Sequence, residues 1–128
     1  MPETEKITIN LNLVDLGKID LLVEEGFYSN RTDFIRAAIR RQLDQHDESI
    51  RQSVSRKTLV MGVLGLNRKD LEKSRLKGEK LDLRVVGLLV LGEDIPPSLA
   101  SETIESVKVY GVLRASPDVQ AALQDKIQ

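Results

Sequence analysis

The chain has 128 residues and a formal net charge of −1 at pH 7, with 41% hydrophobic and only 3% aromatic residues. This composition is typical of one ordinary globular domain, or two small ones, with an aliphatic core. The absence of cysteine excludes disulfides and thiolate metal sites. No apolar run approaches the roughly 20 residues of a membrane span, and the opening MPETEKIT contains no hydrophobic signal region. We therefore expect a cytoplasmic protein that makes no membrane contact.

The segment 5–13, EKITINLNL, alternates strictly between polar and apolar residues. Alternation with a period of two predicts a β-strand with one buried and one exposed face. A lone strand exposes unpaired backbone groups along both edges. The sequence therefore predicts that this strand pairs with another strand.

Two helices are predicted after the strand. The first spans about 13–25, where Asn12 can cap the start and Gly26 follows the end. The second spans about 31–46, with Asn30 as its cap and Asp33 at the third helical position. One strand and two short helices cannot bury a core alone. If two copies pair their strands antiparallel, the edges are satisfied and the apolar face of the ribbon lies on four helices.

The residues that carry a family resemblance are KITINLNL, the helix ending EEGFYSN, and the segment NRTDFIRAAIRRQL. In this order and spacing, residues 5–46 resemble the ribbon-helix-helix family of DNA-binding proteins, of the CopG, Arc and NikR type. The resemblance implies an intertwined homodimer whose antiparallel ribbon enters the major groove of double-stranded DNA.

The resemblance also implies site residues. Lys6, Thr8 and Asn10 would lie on the outward face of the ribbon and read base edges, to which their side chains can hydrogen-bond. The backbone N–H groups of Asn30, Arg31 and Thr32, at the start of the second helix, would bind a phosphate. Residues 1–58 hold nine Lys and Arg against ten Asp and Glu, which predicts a modest number of phosphate contacts.

The second half of the chain contains a repeat. Segments 60–66 (VMGVLGL), 85–91 (VVGLLVL) and 109–115 (VYGVLRA) share a central glycine and a spacing of 25 and then 24 residues. Each apolar run predicts a buried strand, and each is followed by a predicted short helix. We therefore expect an α+β protein: a domain at 1–46, a linker or helix extension at 47–58, and a small α/β domain at 59–128. That last domain would be a layer of parallel strands or a short solenoid, with an oligomerisation or regulatory role.

Catalytic and metal-binding signatures are lacking. The chain has one histidine and no cysteine, and no serine lies in a G-x-S-x-G context. Nickel-sensing members of the resembled family carry His and Cys ligands in a C-terminal domain, and residues 59–128 have neither. We expect no enzyme activity, no cofactor and no metal.

Three functions are compatible with these features. The first is a sequence-specific repressor of transcription whose C-terminal half joins dimers into a tetramer, or binds an effector or a protein partner. The second is an antitoxin of a toxin–antitoxin pair, whose C-terminal tail would wrap a toxin. The third is a plasmid-partition or assembly scaffold in which the repeated half stacks into arrays.

Overall fold

The computed structural model describes residues 4–128, which form two compact units, 4–52 and 53–128. Together they contain six α-helices, one 3-10 helix and a three-stranded parallel sheet. The protein is therefore mixed α/β. The division between the units lies within the segment 47–58.

The N-terminal unit contains an extended segment followed by two helices. Residues 4–12 are neither helix nor paired strand within the single chain. Helix α1 spans Leu13–Glu24 and helix α2 spans Arg31–Gln45. The cap residues act as expected: the Asn12 side chain accepts hydrogen bonds from Val14 N and Asp15 N, and the Asn30 side chain accepts one from Asp33 N. Helix α3, Asp47–Arg56, follows α2 directly.

The C-terminal unit is built on the sheet β1-β2-β3, whose strands are parallel and follow one another in chain order. The strands are β1 (Val60–Leu66), β2 (Leu81–Leu91) and β3 (Ile104–Arg114). Helices α4 (Arg68–Leu76) and α5 (Pro97–Thr103) connect them, and α6 (Pro117–Ala122) and a 3-10 helix (Gln124–Lys126) follow β3.

Strands β2 and β3 begin earlier than the apolar runs alone indicate. The LDLR segment at 81–84 extends β2, because Leu81 and Leu83 face the core while Asp82 and Arg84 face solvent. The segment LASETIES at 99–106 is predicted by its sequence to form one or two helical turns, but residues 104–106 belong to β3. Ile104 is fully buried against the core, and that burial outweighs the local helical preference.

One face of the sheet packs on the helices. The core combines Val85, Leu89 and Val107 of the strands with Leu71 of α4 and Leu99 of α5. Val119 of α6 and Leu123 complete it, and most of these side chains are at or near zero exposure. Aliphatic side chains alone fill this core, as the low aromatic content predicts.

The three repeated glycines form a row across the sheet. Gly62 pairs with Gly87 and Gly87 with Gly111 in the strand register. All three have positive φ, between 123° and 135°, a backbone conformation that side chains strongly disfavour. A Cβ on Gly87 would lie 2.1 Å from the Gly62 carbonyl oxygen, and one on Gly111 equally close to the Gly87 carbonyl oxygen. The 25- and 24-residue spacing therefore aligns three glycines of positive φ, and at Gly87 and Gly111 the neighbouring backbone also leaves no room for a side chain.

A glycine-to-alanine series tests this explanation. Gly65→Ala should change the free energy of unfolding by less than about 1 kcal/mol, because Gly65 lacks positive φ and a Cβ there has open space. Gly62→Ala also has open space but a positive φ, so strain should cost about 1–3 kcal/mol. Gly87→Ala should cost more, since the contact with Gly62 is added. Urea unfolding at one protein concentration measures the three losses, and equal losses would contradict the explanation.

Candidate nucleic-acid interface

The extended segment presents the three predicted base-reading residues to solvent. Lys6, Thr8 and Asn10 are all exposed along residues 4–12. The alternating apolar residues are exposed as well: Ile7 at 72% and Ile9 at 57%. Both faces of the segment are therefore uncovered in a single copy.

The helices of the same unit also leave apolar side chains uncovered. Ile19 of α1 is buried, but no residue of α2 is. Large apolar side chains that lie exposed in this unit include Leu13, Val14, Leu21, Phe27, Ile39 and Leu43. A pair of Tyr28 and Phe34, with ring centroids 5.0 Å apart and nearly perpendicular planes, packs the turn between the helices. One copy of the N-terminal unit thus exposes most of the apolar residues that would form its core.

The first turn of α2 is capped by the Asn30 side chain and lies exposed to solvent. The Asn30 side chain accepts a hydrogen bond from the backbone N–H of Asp33 at 2.7 Å. The Asp33 carboxylate accepts one from the backbone N–H of Ser29 at 3.0 Å. The first N–H groups of an α-helix have no intrahelical acceptor. Those of Arg31 and Thr32 therefore have no acceptor within the helix. That Asn30, Arg31 and Thr32 bind phosphate stays a prediction.

The Arg31 side chain has a partner that the sequence did not reveal. Its guanidinium donates two hydrogen bonds to the Asp20 carboxylate of α1, from Nε at 2.7 Å and from Nη2 at 2.8 Å. These bonds hold the pKa of the Asp20 carboxyl below its usual range and raise the pKa of Arg31. Asp20 lies eleven residues before Arg31, beyond any spacing rule within one helix, so only the packing of α1 on α2 reveals the pair.

The described residues offer little for other kinds of site. Among residues 4–128, no group of three or more His, Cys, Asp or Glu is placed to hold a metal ion. No helix in the same range is long and apolar enough to span a membrane.

Comparison with known proteins gave one match. The model of the Ribbon-Helix-Helix transcriptional regulator family matches residues 2–120, which is most of the chain and includes the C-terminal unit. Neither the curated proteins nor the solved structures gave a match. The match therefore confirms the resemblance seen in residues 5–46 and extends it into the second half.

The Asp20–Arg31 pair generates a titration prediction. In wild type, the Asp20 carboxyl should titrate at lower pH than in Arg31→Ala, as measured by NMR of the side-chain carboxyl. Because the folded pKa is depressed, the stability that the pair contributes is fully present above the unfolded value, about 3.9 for Asp. It is lost as the pH falls through the folded value. An unchanged Asp20 titration in Arg31→Ala would show that the two side chains do not pair in solution.

Proposed function

This chain belongs to the Ribbon-Helix-Helix transcriptional regulator family, and we propose that it is a sequence-specific DNA-binding repressor that acts as a homodimer in the cytoplasm. Segment 4–12 of one copy pairs antiparallel with that of its partner, and the resulting ribbon enters the major groove. The observation that carries this proposal is the exposed apolar surface of the N-terminal unit. A second copy that covers this surface would explain why so many apolar side chains of the unit are exposed.

The alternation of the segment divides its residues between two tasks. Ile7, Ile9 and Leu11 face the four helices of the dimer and are removed from water, which drives association. Lys6, Thr8 and Asn10 then face outward on the paired ribbon. Their hydrogen-bonding groups suit base edges in the major groove, where the four base pairs are distinguishable.

Backbone contacts fix the position of the ribbon on the duplex. The exposed N–H groups of Arg31 and Thr32 at the start of α2 approach a phosphate on each side of the groove. The Arg31 guanidinium is shared with Asp20, so it provides less positive charge to the DNA than an unpaired arginine would. This agrees with the nearly balanced charge of residues 1–58, and it predicts a weak dependence of affinity on salt.

The C-terminal unit is proposed to join two dimers into a tetramer. Its own core, with side chains from three strands and three helices, argues against the antitoxin alternative, in which this half would lie unfolded without a toxin. In a tetramer, binding of one dimer raises the effective concentration of the other at a neighbouring operator.

The dimer is tested by two neighbouring substitutions. Ile9→Asp should lower the molecular mass of the full chain in sedimentation experiments, because it places a charge in the apolar interface. Thr8→Asp, one residue away on the outward face, should leave the mass unchanged. The thermal midpoint of wild type should also rise with protein concentration. Equal masses for both variants, or a midpoint independent of concentration, would contradict the paired ribbon.

The division of DNA contacts is tested by gel shift. Thr8→Ala and Asn10→Ala should each weaken operator binding by about 1–3 kcal/mol and leave nonspecific binding unchanged, and Lys6→Ala should act in the same direction. Arg31→Ala should weaken both kinds of binding and make the salt dependence shallower.

Asp20→Asn should strengthen both kinds of binding because it frees Arg31. The control is Asp44→Asn, which removes the same charge at the far end of α2, about 20 Å along the helix from Arg31. If Thr8→Ala and Asn10→Ala bind the operator like wild type, the ribbon does not read the sequence. If Asp20→Asn and Asp44→Asn have the same effect, only net charge is involved.

A further inference from the structure

The strands of the C-terminal unit are added to the sheet in chain order, and this order decides which face its helices cover. Right-handed crossovers between parallel strands lie on the same face when each strand is added in the same direction. The single core accordingly contains Leu71 of α4, Leu99 of α5 and Val119 of α6, all packed with Val85 of β2. No α-helix of residues 59–128, all of which the structure describes, packs on the opposite face, which we call the outer face.

The centre of the outer face is apolar. Side chains alternate along each strand, so the residues between the core positions lie together on this face. By register they form two rows, Met61–Val86–Tyr110 and Val63–Leu88–Val112. Met61 is 56% exposed and Val63 is 64% exposed. Parallel sheets are normally covered by helices on both faces, and the C-terminal unit itself supplies helices to one face only.

Basic residues flank the two apolar rows. Arg84 pairs with Lys108 in the row before them, and Arg114 lies in the row after them. The ammonium groups of Lys108 and Lys57 lie 5.2 Å and 6.0 Å from the centre of the Tyr110 ring. Three cationic side chains therefore gather at one end of the apolar rows, and a fourth lies at the other end.

One carboxylate opposes these cations. Asp82 is the only acidic residue at the outward-facing positions of the three strands, all of which lie in the described part of the chain. Its oxygens already accept hydrogen bonds from the Ser106 hydroxyl and from Arg84, the latter at 3.1 Å. The outer face thus has a surplus of positive charge around an apolar centre. Such a surface repels a copy of itself and attracts an acidic partner.

We propose that the outer face binds an acidic, amphipathic α-helix of another protein. Three strands about 4.8 Å apart span about 10 Å, which matches the diameter of one helix. The distance from Lys108 to Arg114 is about 20 Å at about 3.3 Å per residue, or about 13 residues of helix. The apolar side chains of the helix lie on the two central rows, and its carboxylates meet the basic residues at both ends.

The size and chemistry of the face define the kind of partner. One helix on three strands makes a contact below about 1,200 Å² in total, which is typical of transient signalling complexes. Nucleic acid is a poorer fit, because its charged backbone leaves the two apolar rows without a partner. The face uses none of the ribbon residues Lys6, Thr8 and Asn10, so this inference goes beyond operator binding.

The charge complementarity is tested with two synthetic peptides of about 13 residues. One has leucine along one helical face and glutamate elsewhere, and the other has lysine in place of glutamate. The full chain should bind the glutamate peptide at least about tenfold more tightly in fluorescence anisotropy. Arg84→Glu with Lys108→Glu should abolish this preference. The matched control is Lys69→Glu with Lys73→Glu, two exposed residues of α4, which should keep it.

Three results of this titration would overturn the inference. The first is that neither peptide binds. The second is that both peptides bind equally well, which would show apolar adhesion without charge recognition. The third is that both double variants lose the preference to the same extent, since only the net charge of the chain would then matter.

The position of the contact is tested by thiol protection. The chain has no cysteine, so Val63→Cys and Leu76→Cys each introduce a single thiol at an exposed position. Without peptide, both thiols should react with a maleimide at similar rates. Saturating glutamate peptide should slow the thiol at position 63 by about tenfold, because the covered centre of an interface excludes water, and leave the thiol at position 76 unchanged.

Two results of the labelling would contradict the proposed contact. An unchanged rate at position 63 with peptide present would place the peptide elsewhere. Slow labelling at position 63 without peptide would show that another copy, or the rest of the chain, already covers the outer face. Operator binding by gel shift reports the proposed function separately: a chain that binds its operator and neither peptide refutes only the helix-binding face, and the reverse result refutes only the regulator.

Discussion

A single copy of this chain leaves many of its apolar side chains exposed to water, and this constraint applies to both of its units. In the N-terminal unit, Ile7 and Ile9 lie exposed beside two helices that bury almost nothing. In the C-terminal unit, the helices cover one face of the sheet and leave Met61 and Val63 exposed on the other. Burial of apolar surface is the main favourable term in folding and association. Each unit therefore leaves an apolar surface exposed in a single copy.

The exposed apolar surfaces of the two units differ in structure. The N-terminal surface consists of the extended segment 4–12 and two helices that bury only Ile19. In the proposed dimer, folding of this unit and association are one event. The C-terminal unit has its own closed core with Leu71, Val85 and Leu123 fully buried, and only one flat face remains uncovered.

Two exposed arginines of this protein are each paired with a carboxylate, so their positive charge is balanced locally. The Asp20 carboxylate holds the Arg31 guanidinium at the start of α2, and Asp82 accepts a hydrogen bond from Arg84 near the start of β2. Each pair is exposed, so its contribution to stability is small. Its effect is on the local field: it fixes the direction of the arginine and reduces the attraction of the surface for any anion.

Local patterns in the sequence determined the elements of this protein, and the tertiary structure decided their contacts. The caps Asn12 and Asn30 were readable because they act over a few neighbouring residues. The strand that the alternation of residues 5–13 predicts needs a partner strand, and this segment is unpaired in a single copy. The nearly equal spacing of Gly62, Gly87 and Gly111 was readable as a repeat. Its cause appears only when the strands lie in register: all three have positive φ, and an added Cβ at Gly87 or Gly111 would lie 2.1 Å from the neighbouring backbone. The early start of β3 at Ile104, the Asp20–Arg31 pair and the uncovered second face of the sheet were not readable. Each depends on residues distant in the chain, which only packing brings together.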